Sequence, residues 1–421
     1  MSLTRRRFLT GAAGVAAGGA VAGGVAACGS SSNAVTRVPR VALGPEPSGL
    51  PSRQHAWAQY EARDTYGNPV APRFDRLLYF DVSGTPGPDH ARMLEAALRM
   101  LERTFPWSHK GLLFTAGWAP SYFESVLGVA SPIPRAKRLS DFELPSIDDY
   151  HLMLHLASDD ENRLAAIEGA LLHGEPLSGA SGSLQISDAL TWRETRTGFS
   201  GAGLPAANQN VGGIPSGDPV PKSSPLYMGF KSGLKKNQAS EDSVTIAGGQ
   251  FAGGTTMHNS YMRLRLSSWY DDLTESERVA RMYAPQMTPA EVDRVTTDAE
   301  SDPGKIKQAI NHYGVIGHSQ ATATVRRKGQ PRILRRDFDT IDGGQAGVHF
   351  VSVQQTIEDF VLTRTAMNQA NAALQNPAIT ATVNNGINEF IFVLKRGNYL
   401  LPPRPQRSFP LLQGRSAALT A

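Results

Sequence analysis

Arg76-Leu77-Leu78-Tyr79-Phe80-Asp81-Val82 is a short apolar run that reads as a buried strand, and the segments after it fall into place around it. The turn Ser83-Gly84-Thr85-Pro86-Gly87-Pro88 ends the run, and Asp89 is the expected N-cap of a helix. Met93, Leu94, Ala97, Leu98, Leu101 and Phe105 then recur at helical spacing and form one stripe. A second strand is expected at Leu112-Leu113-Phe114-Thr115. A third, Tyr150 to Leu156, alternates in polarity, and a helix follows over Glu161 to His173. Strand, helix, strand, strand, helix is the order of a ferredoxin-like α+β unit.

Downstream the pattern breaks and restarts. Residues 197–225 are dominated by Gly, Pro, Ser and Asn, and read as a long surface loop between two halves. Strands are then expected at Val244-Thr245-Ile246 and Tyr261 to Leu266, helices at Thr274 to Tyr283 and Thr288 to Thr297, a strand at Gly347 to Val353 and a helix at Ile357 to Ala373. The implied chain is α+β, with a ferredoxin-like half over 73–196 and a second over 226–404, each an antiparallel sheet with helices. Residues 405–421 read as a tail.

Upstream, residues 29–72 are polar and rich in Pro and Gly, and read as a tether and irregular N-terminal arm. Thr4-Arg5-Arg6-Arg7-Phe8-Leu9 matches the twin-arginine export pattern, and Gly11 to Ala27 is a weakly apolar run of small residues suited to a removable signal. It ends Val25-Ala26-Ala27-Cys28-Gly29, which resembles a lipobox. Residues 1–28 are therefore expected to direct export by the twin-arginine machinery to the periplasm or beyond. Cys28 either carries a lipid that tethers the domain to a membrane surface or remains a spare thiol after cleavage near Ala27.

The chain has 42 basic and 38 acidic residues. Without Arg5, Arg6 and Arg7 of the leader the balance is 39 to 38, which gives no support to a nucleic-acid partner. Cys28 is the single cysteine, so no intrachain disulfide or cysteine-based metal site can form.

Six segments in order resemble the dye-decolourising peroxidase superfamily. Gly117-Trp118-Ala119-Pro120-Ser121-Tyr122-Phe123 is similar to its Gly-x-Gly-Pro-Ser-x-Phe turn, and Asp148 to Asp160 to its Gly-Asp-Leu strand. Gly229-Phe230-Lys231-Ser232-Gly233 resembles its Gly-x-x-Asp-Gly signature, and Gly253-Gly254 with the strand beyond His258 its Gly-Gly-Ser-Tyr segment. Arg332-Ile333-Leu334-Arg335-Arg336 and Gly397 to Pro403 resemble its arginine block and closing strand.

The resemblance implies a dimeric α+β barrel fold around haem b. It also implies a peroxidase that reduces peroxide and oxidises an organic substrate, and it is compatible with a homo-oligomer. His318 is the implied iron ligand, with His312 a rival and His349 more structural in character. Arg335 is the implied distal cation and Arg336 its ion-paired neighbour, or the reverse. Gly229 and Gly233 would let backbone approach the haem edge. Where the family has an acid, this chain has Ser232, whose hydroxyl cannot hold a peroxide proton as a carboxylate does. Asp337, Glu241 or Asp242 could supply a replacement. The alternative expectation is a non-catalytic haem- or partner-binding lipoprotein on the same fold.

Overall fold

The computed structural model describes residues 38–231, 234, 237–292, 302–368 and 370–412. The leader, Cys28, Ser232 and Gly233 lie outside the described residues.

In the first half, β1 (Phe74–Val82), β2 (Leu113–Trp118), β3 (Leu152–Ser158) and β4 (Leu190–Phe199) lie in the order β4-β1-β3-β2. In the second, β5 (Thr255–Leu264), β6 (Phe338–Thr340), β7 (Gly347–Gln354) and β8 (Ile391–Leu401) lie in the order β8-β5-β7-β6. Both are the strand order of a ferredoxin-like unit, and every pairing is antiparallel. Two narrow seams join the halves into a closed barrel, Asp339 opposite Phe199 and Leu400 opposite Trp118. Among the described residues, closure leaves the barrel itself no free edge for stray pairing.

Strand alternation divides the first half's core in two. Leu78 and Phe80 face outward beneath α1 (Pro88–Thr104) and α2 (Glu161–His173), packing with Leu94, Leu98, Leu101, Leu164 and Ile167. Each such side chain contributes about 1.5–3 kcal/mol on burial. Leu77 and Tyr79 face inward, against Met257, Val351 and Tyr399 of the second half. α1 starts one turn feature earlier than expected, with Gly87 as N-cap and Pro88 at N1, where the missing N–H costs nothing. Asp160 caps α2 through Arg163 N–H, and left-handed Gly174 ends it.

The barrel interior is polar on one side. Arg196 donates to both carboxylate oxygens of Asp148 (2.7 and 2.8 Å) and to Tyr79 Oη (3.0 Å), with its guanidinium 4.3 Å from the Tyr79 ring.

Several expectations are corrected. β4 falls across the assigned end of the first half and the start of the loop; Thr191 and Arg193 face water, whereas Glu194 and Arg196 join the buried arginine cluster. Val244-Thr245-Ile246 is a turn, not a strand, with Val244 buried as a single apolar anchor. The strand expected at Tyr261–Leu266 begins at Thr255 and ends at Leu264. The helix expected over Ile357–Ala373 ends at Ala366, and Ala370–Gln375 is a separate turn of helix. Of the helix expected over Thr288–Thr297, the described part is a 3-10 turn, Pro289–Glu291. The arm is no loose tether from Gln54 onward. Gln54 bonds Ala116 N–H and Pro402 O across the barrel mouth, and Trp57 is 1% exposed. Nor is the tail free. Phe409 is buried in the first half's core, Trp118 Nε1 donates to Arg407 O, and Arg407 is ion-paired to Glu95 and Glu102.

Candidate functional site

The second half covers its sheet differently from the first. The outward residues of β5, β7 and β8 include Met262, Leu264, Phe350 and Ile391. The helices α3 (Glu275–Met282), α4 (His318–Ala323) and α5 (Ile357–Ala366) stand over them without filling the space. The result is a cavity of about 1430 Å³, part of it open to solvent. The walls are mainly apolar, as in ordinary ligand clefts.

His318 opens α4 and lines this cavity. Gly317, the N-cap, is extended, and its N–H donates to Gln320 Oε1 at 3.0 Å. A Cβ on Gly317 would collide with Tyr283 O, and one on Gly386 (φ +55) would sit 2.9 Å from His318 Cα. Two glycines therefore let this histidine seat where it does. Its Nδ1 is sealed from water and has no hydrogen-bond partner. Burial first, then Arg335 and Arg364, push its pKa down to about 3. The ring is thus a neutral imidazole at the wall of a large apolar cavity, the form a metal requires.

Arg335, Asp337 and Asp339 line the same cavity. Gln238 holds the backbone of Arg335 from both sides, accepting from its N–H at 2.8 Å and donating to its O at 3.3 Å. Arg364 and Arg396 reach the cavity from α5 and β8, and share one carboxylate, Glu143, at 3.7 and 2.7 Å. Arg396 also donates to Ser260 Oγ. Two guanidinium groups on one carboxylate leave a surplus of positive charge suited to an anionic group of a ligand.

The other named residues are placed elsewhere. Arg336 points away from the cavity; its guanidinium lies 4.0 Å from the Trp57 ring and donates to His55 O at 2.6 Å, so it serves the barrel mouth and not a cofactor. The reason is strand alternation, which turns it opposite to Arg335. Glu241 accepts from Trp57 and Ala58 N–H and lies beside Arg336, and Asp242 is exposed and paired with Arg53; neither is a cavity acid. His349 is buried and bonds Asp342 Oδ2 at 2.9 Å, while His312 is exposed; neither lines the cavity. Gly229 has φ +90 between the cavity residues Met228 and Phe230. Sequence reasoning missed Asp339, Arg364, Arg396, Gly317 and Gly386. Only the alternation from Arg335 to Asp339 offered a signal for any of them.

A family model described as a family of unknown function, DUF7405, matches residues 72–403. No curated protein matches the sequence. Among solved structures the chain is similar to a DypB variant in complex with manganese (TM-score 0.55, 14% identity), covering 85% of this chain and 98% of that one. It is similar to a Rhodococcus jostii RHA1 DypB variant in complex with heme, with TM-score 0.55, 13% identity and the same coverage. It is also similar to a dye-decolorizing protein from V. cholerae, with TM-score 0.50, 12% identity, 84% of this chain and 99% of that one. At these identities the likeness establishes the fold.

Proposed function

The chain belongs to that family of unknown function, DUF7405, and we propose that it is a haem-dependent, peroxidase-like oxidoreductase acting outside the cytoplasm. The observation that carries this reading is His318, a neutral imidazole with an unpartnered, water-sealed Nδ1 at the wall of a large apolar cavity. The cavity suits haem on two further counts: its Met and Phe walls, and the surplus cation of Arg364 and Arg396 for acidic substituents. His318 would hold the iron, with Gly229 allowing backbone near the edge. Haem, when bound, supplies the iron that takes up peroxide and the electrons that reduce it. This chain's residues manage charge and protons: Arg335 stabilises negative charge developing on a peroxide oxygen, and Asp337 accepts the proton that oxygen loses. An organic reductant completes the turnover. The leader Arg5-Arg6-Arg7-Phe8-Leu9 supports export of the folded chain, and Cys28 in its lipobox context supports a lipid tether to the membrane.

The test is haem titration of the purified protein, followed by visible absorbance. Wild type is expected to develop a Soret band that His318→Ala lacks, and to oxidise a dye in the presence of peroxide. A flat spectrum near 400 nm with excess haem refutes the reading. A Soret band without peroxide-dependent oxidation would select a haem-binding module instead.

A further inference from the structure

Ser232 stands where the resembling family has its acid, and the strand that follows Arg335 carries another candidate. Arg335, Asp337 and Asp339 alternate along the chain, so their side chains share a face, and all three line the cavity. Asp339 sits at the seam between the halves, opposite Phe199, and is 2% exposed. Its Oδ2 accepts from the backbone N–H of Tyr227 at 2.5 Å. Among the described residues no lysine or arginine forms an ion pair with Asp339 or with Asp337, and Asp337 Oδ1 is itself sealed from water without a partner. Arg335 shares that face without an ion pair to Asp339, and the other titratable groups beside Asp339 carry no positive charge. Asp337 lies two residues before it, just outside β6. Tyr227 and Tyr270 come from the elements packed against it, and their hydroxyls donate to Asn208 O and Tyr227 O. Two carboxyl groups on one buried face, with a single N–H between them, cannot both be ionised at low cost. Asp339 is the more deeply buried of the two.

We propose that Asp339 is the carboxylic acid of this cavity, holding a proton at neutral pH and giving it to a ligand oxygen bound beside Arg335. Burial and the neighbouring Asp337 carboxylate both push its pKa up, well above the ordinary carboxylate value. In the transfer the O–H bond of Asp339 breaks, a bond to the ligand oxygen forms, and Asp339 is left as a carboxylate. Peroxide has by then surrendered its own proton to Asp337, so the two carboxyl groups have exchanged roles, and passage of that proton from Asp337 to Asp339 resets the pair. The identity of the ligand rests on the haem and peroxide reading above; the protonation of Asp339 does not.

The experiment has a part without haem and a part with it. Infrared difference spectra of the haem-free protein at pH 7, wild type minus Asp339→Asn, are expected to show a protonated-carboxyl band that shifts in heavy water. Wild type minus Asp337→Asn is expected to lack it. A group with raised folded pKa stabilises below its unfolded pKa and loses that contribution as pH rises through the folded value. Wild type should therefore lose stability relative to Asp339→Asn as pH is raised. In haem-loaded protein, Asp339→Asn should slow the reaction with peroxide by on the order of 10²-fold or more, with partial rescue in Asp339→Glu. Absence of the infrared band, or its loss in Asp337→Asn instead, overturns the assignment. A band present with an unaltered peroxide rate overturns the proton-donor role. If neither protein takes up haem, the peroxidase reading fails while the infrared result still decides the protonation of Asp339.

Discussion

Gly386→Ala tests how His318 is seated. Gly386 has φ +55, and an added Cβ would stand 2.9 Å from His318 Cα, 3.1 Å from its N and 3.2 Å from its Cβ. Two costs follow. An L-residue in the left-handed region is destabilised by about 1–2 kcal/mol, and forcing a methyl into packed atoms adds about 1–3 kcal/mol. Gly329 is the internal control. It has φ +78 with nothing within 4 Å of an added Cβ, so Gly329→Ala bears the backbone cost alone. Urea unfolding of the two haem-free variants should therefore differ by about 1–3 kcal/mol, with Gly386→Ala the less stable. Relief of the contact pushes the start of α4 away from Gly386, so haem titration of Gly386→Ala should give weaker binding while Gly329→Ala matches wild type. Equal destabilisation in the two variants, with haem affinity unchanged in both, would refute the argument that the glycine fixes the histidine.

Arg196→Met should destabilise the protein by about 3–5 kcal/mol, because it strands buried Asp148 without its counter-ion and leaves Glu194 only Lys395; denaturant midpoints measure it, and a loss under 1 kcal/mol would contradict the geometry. His55 is pushed down to about 3 by burial first and then by Arg336 and Arg53. Between the unfolded value of 6.5 and that folded value the unfolded chain binds a proton the native chain does not. The contribution is thus intact above pH 6.5 and lost as pH falls. From pH 6.5 to 5, wild type should lose about 2 kcal/mol relative to His55→Gln, and a pH-independent difference between the two would show that folding leaves the proton affinity of His55 unchanged.

How far the sequence revealed this arrangement depends on which way each residue faces. β1, β3, α1 and α2 declare themselves because their apolar residues repeat at the period of the element and meet an apolar partner. β4 does not, because Arg196 and Glu194 belong to a buried ion-pair cluster with Asp148, and charged residues on a strand look solvated until their partners are known. His318 could be singled out by its distance from the arginine block, whereas nothing local distinguishes Gly386, which matters only because residues 386 and 318 meet in space. Arg335 and Arg336 are adjacent and chemically identical. The face each takes is set by the register of the short strand Leu334–Arg335 against β7, and that register is not written in the pair itself.

The last described residues of the chain finish the first half. Phe409 packs against Trp118 and Tyr122 (ring centroids 4.9 and 6.1 Å), Tyr122 Oη donates to Pro410 O, and Arg407 neutralises two glutamates of α1. During synthesis these contacts are missing until residues 404–410 have left the ribosome. The first half therefore waits, with an aromatic socket open and Glu95 and Glu102 lacking Arg407, for a segment 289 residues downstream of Trp118. A chain stalled or clipped before Arg404 would leave that socket exposed to chaperones and proteases, so residues 404–410 complete the first half as much as its own strands do.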